Sequence, residues 1–174
     1  MRTKVNVIED LNGNKIVFIQ DIIFKGKRSI DWVEVEQYLK QFVGEAYIIE
    51  ESNDVIYIGN DLPDEYAHSN YTNLLKGSNA KAKANAAQGL PKLIETASEK
   101  SHKQNYKNKH IRDAKYGWYR YTSRFALPIY DIEGEILQYN IFKVVMIVRH
   151  AEDGKMYLYD IMNIKKEIVN LFKQ

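Results

Sequence analysis

The residues with most chemistry in them lie between His110 and His150: two imidazoles, four arginines, Lys115 and a group of aromatic rings that includes Trp118 and Tyr119. Histidine can take or give a proton near neutrality. The planar fork of arginine grips phosphate oxygens in pairs. Tryptophan and tyrosine offer faces on which unpaired bases stack. Such a set suits cleavage of RNA without a metal. That chemistry needs a base for the ribose 2′-hydroxyl, an acid for the leaving 5′-oxygen and fixed cations around the phosphate. His110, His150 and Arg120 form the candidate catalytic set, with the two histidines as acid and base. Arg112, Arg124, Arg149 and Lys115 are candidate substrate cations, and Trp118 and Tyr119 candidate stacking faces.

Three strands must bring these residues together. Tyr116–Tyr130, Glu135–His150 and Lys155–Met162 alternate as strands do, and Asp131-Ile132-Glu133-Gly134 and Ala151-Glu152-Asp153-Gly154 supply tight turns between them. Closing Tyr130 on Glu135 and His150 on Lys155 predicts Lys115 beside His150 and Tyr116 beside Arg149. The same register sets Trp118, Arg120, Thr122 and Arg124 on one face, with Asp160 two strands across from Arg120. The middle strand is apolar on both sides, as expected of a strand covered on both faces.

Each feature also has a plainer explanation. His102 fits a wet helix surface and His68 a loop, while His150 is well placed to cap backbone carbonyls. Arg149 has Glu152 and Asp153 close by, and Arg120 with Asp160 would make a structural salt bridge. Tyr119, Tyr121 and Phe125 recur at strand spacing, so two of the three are expected in the core. The lysines after residue 75 would serve equally as a solvated helix face.

The net charge of +2 conceals a gradient. Residues 1–75 hold 7 Lys/Arg against 13 Asp/Glu, residues 76–124 hold 12 against 3, and residues 125–174 hold 6 against 7. A basic belt behind an acidic N-terminal stretch points to a polyanion partner, because clustered cations release counterions when they meet phosphates. Cysteine is absent, which removes disulfides, thiolate metal sites and a cysteine nucleophile. No His-Glu-x-x-His pattern and no glycine-rich phosphate loop occurs, so no metal and no cofactor is expected. The start of the chain lacks a signal-like apolar run and no stretch suits a membrane span, so cytoplasm is the expected compartment.

The rest reads as an α+β domain covering residues 1–174. N-terminal hairpins and helices open it, with residues 1–75 acidic; a basic helical belt follows (76–115), then the antiparallel meander (116–162) and a short closing helix around Val169–Phe172. Val5–Ile8 and Ile16–Phe24 flank Asn12-Gly13 as one hairpin; Tyr47–Ile49 and Val55–Ile58 form another. Ser29 is placed to cap a helix carrying Trp32, Val35, Leu39 and Phe42, stopped at Gly44. Asn60–Tyr71 reads as a loop and Asn79–Gln88 as a helix interrupted by Gly89-Leu90-Pro91. A further helix would present Leu90, Ile94, Ala97 and Ser101, and Lys103–Lys115 would be its surface end.

Residues 110–166, with Asp113-Ala114-Lys115-Tyr116-Gly117-Trp118-Tyr119-Arg120-Tyr121, Arg124-Phe125-Ala126-Leu127-Pro128 and the run from Arg149 to Ile161, resemble domains of large polyvalent proteins of conjugative elements and phages. The helices-then-meander order also resembles the barnase, EndoU, colicin E5/D and RelE-like nuclease fold. That resemblance implies RNA cleavage without a metal. RNA or another nucleic acid is the expected partner, with a host protein as an alternative. A binding module that performs no catalysis is the competing expectation.

Overall fold

The computed structural model describes residues 2–26, 28–104 and 114–168, and its last third is the frame on which the rest is hung. Strands β6 (Trp118–Tyr130), β7 (Ile136–His150) and β8 (Met156–Glu167) make the expected antiparallel meander. Side chains alternate between its faces. Tyr121, Phe125, Val144, Met146, Val148, Leu158 and Ile161 enter the main core on one face. On the other, Ile141 and Ala126 join Ile16 and Phe18 in a small second cluster.

The register differs from the expected one for a local reason. Both turns close one residue nearer their tips, with Asp131 N donating to Glu135 O at 2.8 Å and Ala151 N to Lys155 O at 2.9 Å. Gly134 (φ 83°) and Gly154 (φ 85°) supply the left-handed residue that such three-residue turns need. A bulge between Ile129 and Tyr130 adds a further place, so Trp118 lies opposite Arg149 and Arg120 opposite Ile147. A shift of two preserves the faces. In the second hairpin Val148 pairs with Leu158 but Ile147 pairs with Asp160, leaving Tyr159 as the extra residue of a bulge.

The N-terminal hairpins attach at the two margins of this frame. Strands β1 (Val5–Glu9) and β2 (Lys15–Ile19) pair antiparallel, and β2 runs parallel to β6 at Val17↔Phe125 and Phe18↔Ala126. Strands β3 (Ala46–Ile48) and β4 (Val55–Tyr57) form the other hairpin, and β4 runs parallel to β8 at Ile56↔Met156 and Tyr57↔Tyr157. Strand β5 (Ser98–Lys103) lies antiparallel to the first half of β6, on the edge that β2 uses further along. One mixed sheet of order β1-β2-β6-β7-β8-β4-β3 results, with β5 beside β6. The strand expected to run to Phe24 stops at Ile19, because Asn85 takes over the next backbone: its Oδ1 accepts from Ile23 N (3.0 Å) and Phe24 N (3.1 Å).

Helix α1 (Trp32–Leu39) is capped by Asp31 rather than Ser29, through Oδ1 to Val33 N (3.1 Å) and Glu34 N (3.3 Å). The expected loop at Asn60–Tyr71 is instead helical: α2 (Leu62–His68) starts with Pro63 in its first turn, and α3 (Asn70–Leu74) is capped by Ser69. Helix α4 (Gly77–Ala86) leads through a 3₁₀ turn into α5 (Leu90–Glu95). The helix expected to continue through Ala97 and Ser101 ends at Glu95, and Ser98–Lys103 is strand β5. The closing helix expected at Val169–Phe172 lies outside the described residues. Among the described residues no helix is long and apolar enough to cross a membrane.

Helix α4 departs from the solvated-face expectation at Lys83 alone, since Lys76, Lys81 and Lys92 are exposed as expected. Ala80, Ala82, Ala84 and Ala86 are buried, as small side chains allow when a helix lies close to a sheet, and Lys83 is buried with them. Its Nζ meets Asp160 Oδ1 at 2.7 Å and Thr72 Oγ1 at 2.6 Å, and lies 4.6 Å from the Tyr66 ring centroid. The Tyr159 bulge lets Asp160 reach into the helical layer. Asp160 therefore pairs with Lys83, not with Arg120, which stands exposed.

Candidate nucleic-acid interface

Cations and rings gather where β5, the start of β6 and the end of β7 meet. Tyr116 N donates to His150 O and His150 N to Gly117 O, each at 3.0 Å, which fixes the segment before β6 against the tip of the second hairpin. Strand β5 completes the group from the other edge, with His102 opposite Tyr119, while Lys103, opposite Trp118, belongs to the other face. The His102 ring lies 4.7 Å from Tyr119, and His150 lies 5.9 Å from Tyr119 and 5.1 Å from Tyr116. Two imidazoles thus flank one phenol. Lys100 sits 4.7 Å from the Tyr119 ring centroid and Lys115 5.6 Å from that of Tyr116.

Backbone chemistry explains the tight fit. Gly117 has φ 97°, and a Cβ there would lie 2.7 Å from both His102 Nε2 and Lys103 O. Only glycine lets β5 approach so closely. His102 Nε2 lies 3.0 Å from Tyr116 O, and His150 Nε2 lies 3.1 Å from Gly154 O. A neutral imidazole bonded to a carbonyl through Nε2 carries its proton there and keeps an acceptor lone pair at Nδ1.

Beneath the patch, Asp54 ties three elements together. It accepts from the Tyr121 hydroxyl at 2.6 Å and pairs with Lys100 at 2.8 Å. Burial alone would raise its pKa, but hydrogen bonds from Lys100, Tyr121 and Ser52 outweigh that and hold the carboxyl below the ordinary range. Burial first, and then Asp54 itself, push the Tyr121 hydroxyl well up, so it remains a donor.

Among the residues expected to act, Lys115, Tyr119 and His150 are in this patch, whereas His110 and Arg112 lie outside the described residues. Trp118 and Arg149 pair across the sheet with side chains on the opposite face, where Trp118 lies 5.1 Å from the Tyr159 ring. The Arg149 guanidinium lies 4.3 Å over the Tyr157 ring and 3.4 Å from Asp61, beside an open cleft of about 680 Å³. Arg120 is exposed on that same face. Arg124 is buried, its Nε 2.8 Å from Glu167 Oε1, so it serves an ion pair rather than an open phosphate clamp. Tyr121 and Phe125 are in the core and Tyr119 is half-buried at its rim, two of three as expected.

His102 is the residue that sequence reasoning assigned elsewhere. The helix period through Leu90 and Ile94 placed it on a wet surface, and Ser98–Lys103 contains no apolar residue to betray a strand. The basic Lys-x-His-Lys run, alternating toward Tyr119, was the available signal. A separate groove of about 440 Å³ opens where the edge of β6 passes from β5 to β2, and is lined by Glu50, Glu51, Glu95 and Glu99 with Lys15 and Arg124. Its carboxylates make it a poor seat for phosphate. Compared with protein-family models, curated proteins and solved structures, the chain shows no match.

Proposed function

We propose that the chain is a nucleic-acid-binding domain that holds an RNA strand across the end of the sheet where Lys100, Lys115, His102, Tyr116, Tyr119 and His150 meet. The observation that carries this reading is the backbone pairing of Tyr116 with His150, which makes one continuous surface of cations and rings from three separate strands. Phosphates would meet the lysines and unpaired bases the aromatic faces. On the likeness of residues 110–166, the domain serves a large polyvalent protein of a mobile element.

Fluorescence anisotropy of a labelled single-stranded RNA, titrated with the chain at several salt concentrations, tests the binding. For single strands the log–log slope is about −0.7 per neutralised phosphate. Replacing both Lys100 and Lys115 with glutamine should flatten it by about 1.4 and weaken binding at every salt concentration. An unchanged slope would sink the proposal.

The flanking of Tyr119 by two imidazoles favours a second reading, metal-independent cleavage. One neutral histidine takes the 2′-hydroxyl proton at Nδ1 as the 2′-oxygen attacks phosphorus. The other, protonated, gives a proton to the departing 5′-oxygen, leaving a 2′,3′-cyclic phosphate. Binding leads because Arg124 is held by Glu167 and Arg149 faces Asp61. Mixed RNAs incubated with the chain in EDTA separate the two: cyclic-phosphate ends that vanish in His102→Ala/His150→Ala support cleavage, and intact RNA leaves binding alone. The His110→Ala/His150→Ala variant tests the pair expected from the sequence in the same assay.

A further inference from the structure

We propose that Glu36, Asp64 and His68 form an open three-ligand site for a divalent metal of the zinc class, clamping α1 to α2. Asp64 and His68 are one turn apart on α2, so their side chains share a helix face. Glu36 comes from α1, and burial of Val35 and Leu39 on one helix and Leu62, Tyr66 and Ala67 on the other presses the two together. The three ligand atoms lie within 4.8 Å of one another, and His68 Nε2 is already 2.8 Å from Glu36 Oε1.

The geometry and the ligand types agree on the class of ion. Nitrogen and oxygen ligands placed tetrahedrally about 2.0–2.1 Å from zinc are roughly 3.3 Å apart. Reaching that spacing from the present one asks only for side-chain rotations, for which the partly exposed carboxylates and imidazole have room. Hard ions such as magnesium prefer all-oxygen shells and keep their waters, whereas imidazole with carboxylates suits zinc, cobalt or nickel. The surrounding acidic N-terminal stretch raises the local concentration of cations. Three protein ligands leave a fourth position for water. Binding would replace the hydrogen bond between His68 and Glu36 with two metal bonds, and Asn73 Nδ2, 3.4 Å from His68 O, holds the end of α2 while this happens.

The experiment uses the full chain stripped with EDTA and then titrated with zinc or cobalt chloride. Isothermal calorimetry should show a single equivalent bound, the melting temperature should rise with zinc concentration, and cobalt should give the visible absorption of a low-coordinate site. Glu36→Gln and His68→Ala should abolish all three responses, and an excess of magnesium should not displace the metal. Glu36→Gln replaces a surface carboxylate with its isostere, so it decides the matter if His68→Ala folds poorly. A wild-type chain that binds neither metal, or responses that survive in Glu36→Gln, would overturn the proposal.

Discussion

Replacing Lys83 with methionine keeps most of the volume of the side chain but strands a buried carboxylate. Asp160 is 2% exposed, and without Lys83 its donors are Ile161 N at 2.8 Å and the Ser69 hydroxyl. Removing one partner of such a pair costs about 3–5 kcal/mol. At about 2–4 °C per kcal/mol for a chain of this size, the melting temperature should fall by roughly 6–20 °C. Burial already holds Asp160 above the ordinary carboxylate range, with the charge of Lys83 opposing, and losing that charge raises it further. A carboxyl raised in the folded state stabilises the fold while protonated, and that contribution is lost as pH rises through its folded value. The gap between wild type and Lys83→Met should therefore widen from acid to neutral pH. Adding Asp160→Asn removes the charge itself and should restore most of the loss. Urea titrations of the four proteins at acid and neutral pH give the complete cycle. A loss that persists in the double variant, or does not change with pH, would refute the charge argument and leave only packing.

Gly117→Ala forces a side chain into the left-handed region against His102 and Lys103, so it should cost about 1–2 kcal/mol and weaken RNA binding. Thermal melting with the anisotropy titration checks both, and unaltered values would mean that β5 does not need the close approach. Asp54→Asn removes a carboxylate bonded to Tyr121 and Lys100 and should destabilise the fold at neutral pH by about 1.5–3 kcal/mol. Because the folded pKa of Asp54 is depressed, its contribution is present above the ordinary value of 3.8 and lost as pH falls through the folded one. The difference between the two proteins in acid titrations should close below about pH 4.

The meander was legible because long alternating strands with a glycine-closed turn leave few other solutions. What could not be read was where each turn closes, and the slip of two left the faces unaltered only because two is the strand period. The expected place of Asp160, two strands across from Arg120 through Ile147, holds, but nothing in the sequence announced that Lys83 of α4 would be its partner in place of Arg120. Helix α2 was hidden in a polar stretch, although Asp61-Leu62-Pro63-Asp64-Glu65 carries an acidic, proline-bearing helix start. Strand β5 exists only because β6 offers it an edge, and Glu99 at φ 55° ends any helical continuation. At the candidate site, the approach of the segment before β6 to the second hairpin followed from the meander, although His150 meets Tyr116 and Gly117 rather than the expected Lys115, whereas His102 depended on a strand that no local pattern announced.

Both N-terminal hairpins grip the meander through two-residue parallel pairings whose members stand about a hundred residues apart in the chain. During synthesis, the sticky margins of β2 and β4 must wait until β6 and β8 have left the ribosome. Contacts of such long range are slow to form, so the early hairpins would spend that interval as bare strand edges open to mispairing. The first third should thus be the region most dependent on chaperone shelter, and refolding from urea should be slower than the hairpins alone would suggest.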